Sequence, residues 1–96
     1  MTDTPAYTVS HNAAEHRFEV PLDGQLAVAE YRMPSRSVMR LTHTEVPQAL
    51  EGRGIAGALA RAAMAHAREH QLKIDAQCPY MRAYMDKHPE THDLRA

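Results

Sequence analysis

Hydrophobic and polar positions give the chain two halves with different periods. Before residue 47 apolar positions fall on alternate residues, as in half-buried strands. Tyr7 to Ser10 is a short strand candidate, and His16 to Val20 is another, with Phe18 and Val20 set against polar neighbours. Asp23-Gly24 is a hairpin turn signal. The pattern then predicts a strand over Gln25 to Met33, a turn at Pro34-Ser35, and a returning strand over Arg36 to Val46. On that last strand Met39 and Leu41 point one way, and strict alternation continues their face through His43 and Glu45. Pro47 to Gly52 reads as a loop. Beyond it the spacing turns helical over Ile55 to His70, with Ile55, Leu59, Ala62, Ala63 and His66 on one side. Leu72 to Gln77 reads as a strand and Pro79 to Lys87 as a short helix, with Pro79 suited to its first turn. Pro89 ends that helix, and the remaining tail is polar. Hairpins followed by strand, helix, strand, helix predict a mixed α/β (α+β) domain. Its sheet is mostly antiparallel, two main helices flank it, and the strand-helix-strand step is a right-handed crossover.

Size and composition narrow the classes. Ninety-six residues make one domain. We expect it over residues 7–94, after a frayed tail at residues 1–6. With no Trp, one Phe and six Met, the core must rest on aliphatic, Ala and Met packing. A net charge of -1 gives no global basic field for nucleic acid or an anionic membrane. One cysteine suits a reducing compartment. No apolar run approaches the roughly 18 residues of a membrane span. Met1-Thr2-Asp3-Thr4-Pro5 lacks the basic and apolar regions of a signal peptide. The expectation is a cytoplasmic protein.

The chemistry-bearing stretch is Glu51-Gly52-Arg53-Gly54-Ile55-Ala56-Gly57. A glycine-rich turn opening a helix presents backbone N–H groups at the positive end of the helix dipole, where a phosphate or pyrophosphate is stabilised. Gly52 and Gly54 allow close approach, and Arg53 adds charge. No Lys follows Gly57, so this is not a Walker loop. The spacing Gly52-x-Gly54-x-x-Gly57 matches the dinucleotide fingerprint, and Asp75 stands about 20 residues on. Too little chain follows, however, for the rest of a doubly wound sheet.

The loop resembles the [Q/R]-x-x-G-x-[G/A] signature of the GNAT superfamily of acetyl-CoA-dependent N-acetyltransferases, with Glu51 where Gln or Arg is usual. His43-Thr44-Glu45-Val46-Pro47, Cys78-Pro79-Tyr80, Ala83-Tyr84-Met85, His88-Pro89-Glu90 and Asn12 ahead of Arg17-Phe18-Glu19 match in order, as in the very short single-domain branch. The resemblance runs from about Tyr7 to Leu94. It implies that Gly52, Arg53, Gly54, Ile55, Ala56 and Gly57 cradle the coenzyme A pyrophosphate. It also implies that the strand ending at Glu45 and Val46 splays from the strand at Leu72 to Gln77. Pantetheine would enter there on the main chain of Glu45 and Val46. Tyr84 matches the Tyr that protonates the departing thiolate, with Tyr80 as competitor. Cys78 would lie beside the acetyl group, either as a small buried wall or as a nucleophile, since a helix start favours a thiolate. His43 or Glu45 would be the general base toward an amine acceptor, or else wall residues.

Asn12 to Arg17 is too brief for the helices that usually line the acceptor cleft. The acceptor site would then be open to a protein amine, or be completed by a second subunit in a homo-oligomer. The alternative reading is a non-catalytic module that binds acetyl-CoA or coenzyme A. Histidines at 66 and 70, and at 88 and 92, have i, i+4 spacing but lack the H-E-x-x-H glutamate, so no metal is expected. Arg61, Arg68 and Glu69 read as a solvated helix face, and Arg82 and Lys87 are further candidates to meet phosphates.

Overall fold

The computed structural model describes residues 7–96, so the tail expected at residues 1–6 lies outside the described residues. Five strands form one sheet in sequential order: β1 (Ser10–Asn12), β2 (Arg17–Leu22), β3 (Gln25–Ser35), β4 (Val38–Glu45) and β5 (Lys73–Ala76). The first four pair antiparallel, while β4 and β5 pair parallel across the helix α1 (Ile55–Glu69). A second helix, α2 (Pro79–Lys87), follows β5. The mixed, mostly antiparallel architecture expected from the pattern is the one observed.

The β2–β3 hairpin turns where Asp23-Gly24 predicts, with both residues at positive φ (53° and 73°), as a two-residue primed turn requires. The first strand sits later than the Tyr7 to Ser10 expectation. Asn12 sets its end, because its Oδ1 accepts the Glu15 N–H and its amide donates to Glu19. Pro34, expected in a turn, lies inside β3 at a register irregularity, and the chain reverses at Arg36-Ser37 instead.

One sheet face is apolar. Phe18, Val20, Ala27, Ala29, Tyr31, Met39, Leu41 and Ile74 pack there against Ile55, Leu59, Ala60, Ala63 and Ala67 of α1 and Met81 and Met85 of α2. Small alanines let α1 lie close to the sheet. Its buried face is centred on these residues, with Ala62 and His66 only partly buried at its border. The opposite sheet face carries Arg17, Glu19, Glu30, Arg40, His43, Glu45 and Asp75. Its ion pairs run from Arg17 to Glu19 (2.6 Å) and from Arg40 to Asp75 (2.9 Å). Both helices belong to the apolar side, so this polar face is bare among the described residues.

The segment after Pro89 corrects the expected polar tail. Pro89–Leu94 winds into a 3-10 turn, Thr91 and Leu94 are buried, and Arg95 bridges beside Ile74. Arg68, expected to be merely solvated, holds this segment to α1 through Asp93 (2.9 Å) and the Glu90 carbonyl (2.9 Å). Leu94→Ala is therefore expected to cost about 2 kcal/mol in urea unfolding, the low end for a buried leucine because this border site can collapse. A cost under 0.5 kcal/mol would show that the tail is dispensable.

Candidate functional site

Gly52 and Gly54 have φ of 81° and 79°, and a Cβ on either would meet nothing within 4 Å. Their role is thus backbone conformation rather than packing space. Gly54 is the N-cap of α1 and gives no side-chain cap. The first helical hydrogen bond runs from the Ala58 N–H to the Gly54 carbonyl. Ile55, Ala56 and Gly57 therefore point N–H groups forward with no intrahelical acceptor, and the first turn has no acidic residue. Such a terminus suits an outside anion.

A cavity of about 180 Å³ opens there, lined by Val46, Leu50, Gly52, Gly54, Ala56 and Tyr80 among others. Gly57 and Tyr80 also line a second, adjoining groove of about 390 Å³ between α1 and α2, with Arg61, Ala83, Tyr84 and Lys87. The two shared residues make one run from the loop to the helix pair. A Cβ on Gly57 would stand 3.9 Å from the Tyr80 hydroxyl. Glycine at 57 keeps that passage wide.

The other expected loop residues divide. Glu51, Ile55 and Ala56 line the first cavity with the glycines. Arg53 does not. Its guanidinium pairs with Asp23 across the β2–β3 turn (3.2 Å), and its carbonyl accepts the Tyr7 hydroxyl (2.8 Å). Arg82 is likewise turned away, donating to the Ala76 and Gln77 carbonyls at the end of β5. Lys87 stands in the groove.

Beyond Leu41 the two parallel strands part. β5 pairs with β4 only from Val38 to Leu41, after which Gln77 and Cys78 both donate to the Leu41 carbonyl. Thr42 to Glu45 run on with no strand on that side, leaving main-chain groups free at the gap. A β-bulge at Thr42 lets one residue step on β3 match two on β4, so Tyr31 faces Leu41 while Glu30 faces His43. The bulge overturns strict alternation. His43 and Glu45 point to the bare polar face, and Thr44 takes their expected place on the apolar side. Thr44, not singled out from the sequence, sits with its hydroxyl 3.4 Å from the Cys78 sulfur. A run of His-Thr-Glu carries no signal of a bulge.

Cys78 and the His43–Glu45 pair border the gap from opposite faces, whereas Tyr84 stands in the groove between α1 and α2. Cys78 is the N-cap of α2 and only 5% exposed on the helix side. On the bare face the His43 ring meets the Glu45 carboxylate at 3.2 Å, and both are exposed (54% and 68%). Tyr84 is half-buried and stacks on His88 at 3.9 Å, and burial raises its phenol pKa above the usual 10.0. Tyr80 is shifted the same way, again chiefly by burial. Among the described residues no group of three or more His, Cys, Asp or Glu side chains is placed to hold a metal, and no helix is long and apolar enough to cross a membrane.

Residues 17–94 match the family described as GCN5-related N-acetyl-transferase. Curated relatives include Protein NATD1 of Xenopus tropicalis, 37% identical over 93% of this chain and 84% of that protein. Protein NATD1 of Homo sapiens is 39% identical over 84% of this chain and 74% of its own length. Among solved structures, a GCN5-like protein from Staphylococcus aureus superposes with a TM-score of 0.75, covering 95% of this chain and 89% of that one at 28% identity. Ard1 from Thermoplasma volcanium shares the fold, with a TM-score of 0.62 at 17% identity over 78% of this chain and 55% of that one.

Proposed function

The chain belongs to the GCN5-related N-acetyltransferase family, and from that membership we propose that it moves an acetyl group from acetyl-CoA to an exposed amine. The observation that carries the reading is the continuity of the site. Free N–H groups at the start of α1 open on a cavity whose wall includes Val46, the residue after β4, and Tyr80, in the first turn of α2. Acetyl-CoA, when bound, would supply an activated thioester.

The residues divide the work. Ile55, Ala56 and Gly57 hold the pyrophosphate through backbone N–H groups, and Arg61 and Lys87 add positive charge along the groove. Main-chain groups of the unpaired end of β4, at Glu45 and Val46, hold the pantetheine arm. A donor there stabilises the carbonyl oxygen as negative charge develops on it. The amine approaches from the bare face. His43, with its ring held by Glu45, takes the proton as the new C–N bond forms. The C–S bond breaks, and Tyr84 returns a proton to the leaving thiolate. Burial of Cys78 against Thr44 supports direct transfer with the sulfur as a wall, not as a nucleophile.

The test joins titration calorimetry with coenzyme A to a free-thiol release assay. The acceptors are peptides with a free α-amine, peptides with an internal lysine, and small polyamines. We expect coenzyme A binding and amine-dependent thiol release. Binding without release from any acceptor class would leave the non-catalytic binding module as the correct reading. Cys78→Ser is expected to keep turnover within about 10-fold of wild type. An acetyl adduct on wild type that survives denaturation and vanishes in Cys78→Ser would overturn direct transfer.

A further inference from the structure

At the β1 edge of the sheet, beside the C-terminal half of α1, four of the seven histidines gather around two aromatic rings. His11 of β1 stacks on Phe18 with centroids 4.7 Å apart and meets His66 of α1 edge-on at 4.4 Å. His66 in turn lies 4.3 Å from His70. His11 Nε2 is 2.6 Å from the Tyr31 hydroxyl, and His16 stacks on the other part of Tyr31 at 5.3 Å. We propose that His11, His66 and His70 form an acid-released latch between β1 and the C-terminal half of α1, closed when the rings are neutral.

The surroundings give the cluster its sign. From β2 it meets the apolar ring of Phe18. From β3 it meets Tyr31, which burial keeps protonated and uncharged. The β1–β2 turn contributes His16, another base. The helix contributes one carboxylate, Glu69, 3.8 Å from the outermost ring, His70. Arg17 and Glu19 pair with each other on the opposite sheet face. Neutral rings therefore pack as apolar plates, whereas charged ones repel at contact distance with little to compensate them.

Burial comes first in holding His11 below its usual 6.5, followed by repulsion from His70 and His16. The same order applies to His66, through burial and then His11 and His70, with Glu69 opposing. Both groups bind fewer protons folded than unfolded. Their stabilising contact is complete above pH 6.5 and is lost as pH falls from there through the lower folded values. His11 and His70 keep exposed edges, so protons reach them and salt softens the repulsion. β1 has three residues and one strand neighbour, so it is the element to leave first.

The test follows histidine ring protons by NMR from pH 8 to 5 and, in parallel, amide exchange across the β1–β2 ladder, corrected for intrinsic rates. His11 and His66 are expected to titrate below 6.5. Exchange at the ladder should quicken about 10-fold at acid pH relative to β3–β4, and the melting temperature should fall by about 5 °C. His66→Phe keeps a ring against Phe18 but removes its charge, so it should raise the His11 midpoint and flatten the acid effect. His70→Gln removes the repulsion that bears most on His11, so it should raise the same midpoint. Wild-type midpoints at or above 6.5, or ladder protection independent of pH, would overturn the latch even if neither variant folds.

Discussion

Gly57→Glu is expected to make the protein more stable and unable to hold coenzyme A. Gly57 is the third residue of α1 and has ordinary helical backbone, so a side chain brings no strain. Its Cβ would stand 3.5 Å from Arg61 Nη1 and 3.9 Å from the Tyr80 hydroxyl, both ordinary contacts with mobile groups. Replacing a helical glycine gains roughly 0.5–1 kcal/mol. A carboxylate in the first turn gains some tenths more from the helix dipole and from Arg61 one turn on. Together these predict a rise in melting temperature of about 4–8 °C. The same carboxylate stands among the N–H groups that would otherwise meet the pyrophosphate, and it projects into the passage shared by the two cavities. Like-charge repulsion and the lost charge-assisted hydrogen bonds should weaken coenzyme A binding by at least about 100-fold, or ~2.7 kcal/mol. Gly57→Ala separates charge from bulk, since it should gain similar helix stability and lose less than about 10-fold in affinity. Melting curves with and without coenzyme A, backed by calorimetry, read both effects. Unchanged affinity in Gly57→Glu would mean that the start of α1 is no anion site and that its glycines serve the turn alone.

The glycine loop was legible because its signals are local. Positive φ at Gly52 and Gly54, the helix beginning at Ile55 and the Asp23-Gly24 hairpin each depend on residues a few positions apart. The helix α2 was read to its observed ends for the same reason, with Pro79 at one side and Pro89 beyond the other. What escaped the sequence depends on partners far along the chain. The bulge at Thr42 shows only in the pairing of β4 with β3, which sets Leu41 opposite Tyr31 and Thr44 opposite Ala29, so that two β4 residues three apart share the helix-side face. No run of residues 38–45 shows that. Likewise Leu94 is one apolar residue in a polar segment, and its burial follows from Arg68 and Lys73 fastening residues 90–93 to the body. His11 and His66 look like scattered surface histidines until β1 and α1 bring them together.

The bulge also decides the chemistry of the two sheet faces. Without it, His43 and Glu45 would point toward the helices, into the space that Thr44 and Cys78 border. With it, Thr44 and Cys78 bound the gap on the helix side, while the His43 ring and its carboxylate partner Glu45 face outward. Acyl donor and amine are thus expected on opposite sides of one opening. That geometry suits an acceptor presented on a larger molecule, because no described element covers the outer face.

Tyr84→Phe is the substitution that probes the leaving-group end of this arrangement. Burial holds the Tyr84 phenol above 10.0, so it stays protonated throughout the neutral range and has a proton to give. Stacking on His88 at 3.9 Å and the hydrogen bond from that ring to the Tyr84 carbonyl (2.7 Å) fix the aromatic plane independently of the hydroxyl. Removing only the oxygen should therefore leave the fold and coenzyme A affinity nearly unchanged. Turnover should fall about 100-fold, corresponding to ~2.7 kcal/mol of lost transition-state stabilisation. The acid limb of the pH profile should keep its shape, because Tyr84 does not titrate there. Tyr80→Phe is the matched control. Its hydroxyl lies over Gly57, between the two cavities, so its loss should raise the apparent Km for acetyl-CoA more than it lowers kcat. If the two variants exchange these phenotypes, Tyr80 is the proton donor and the thioester lies one helical turn nearer the glycine loop. If neither lowers kcat, the thiolate leaves unprotonated or takes its proton from water, and the phenols of α2 serve only to shape the groove.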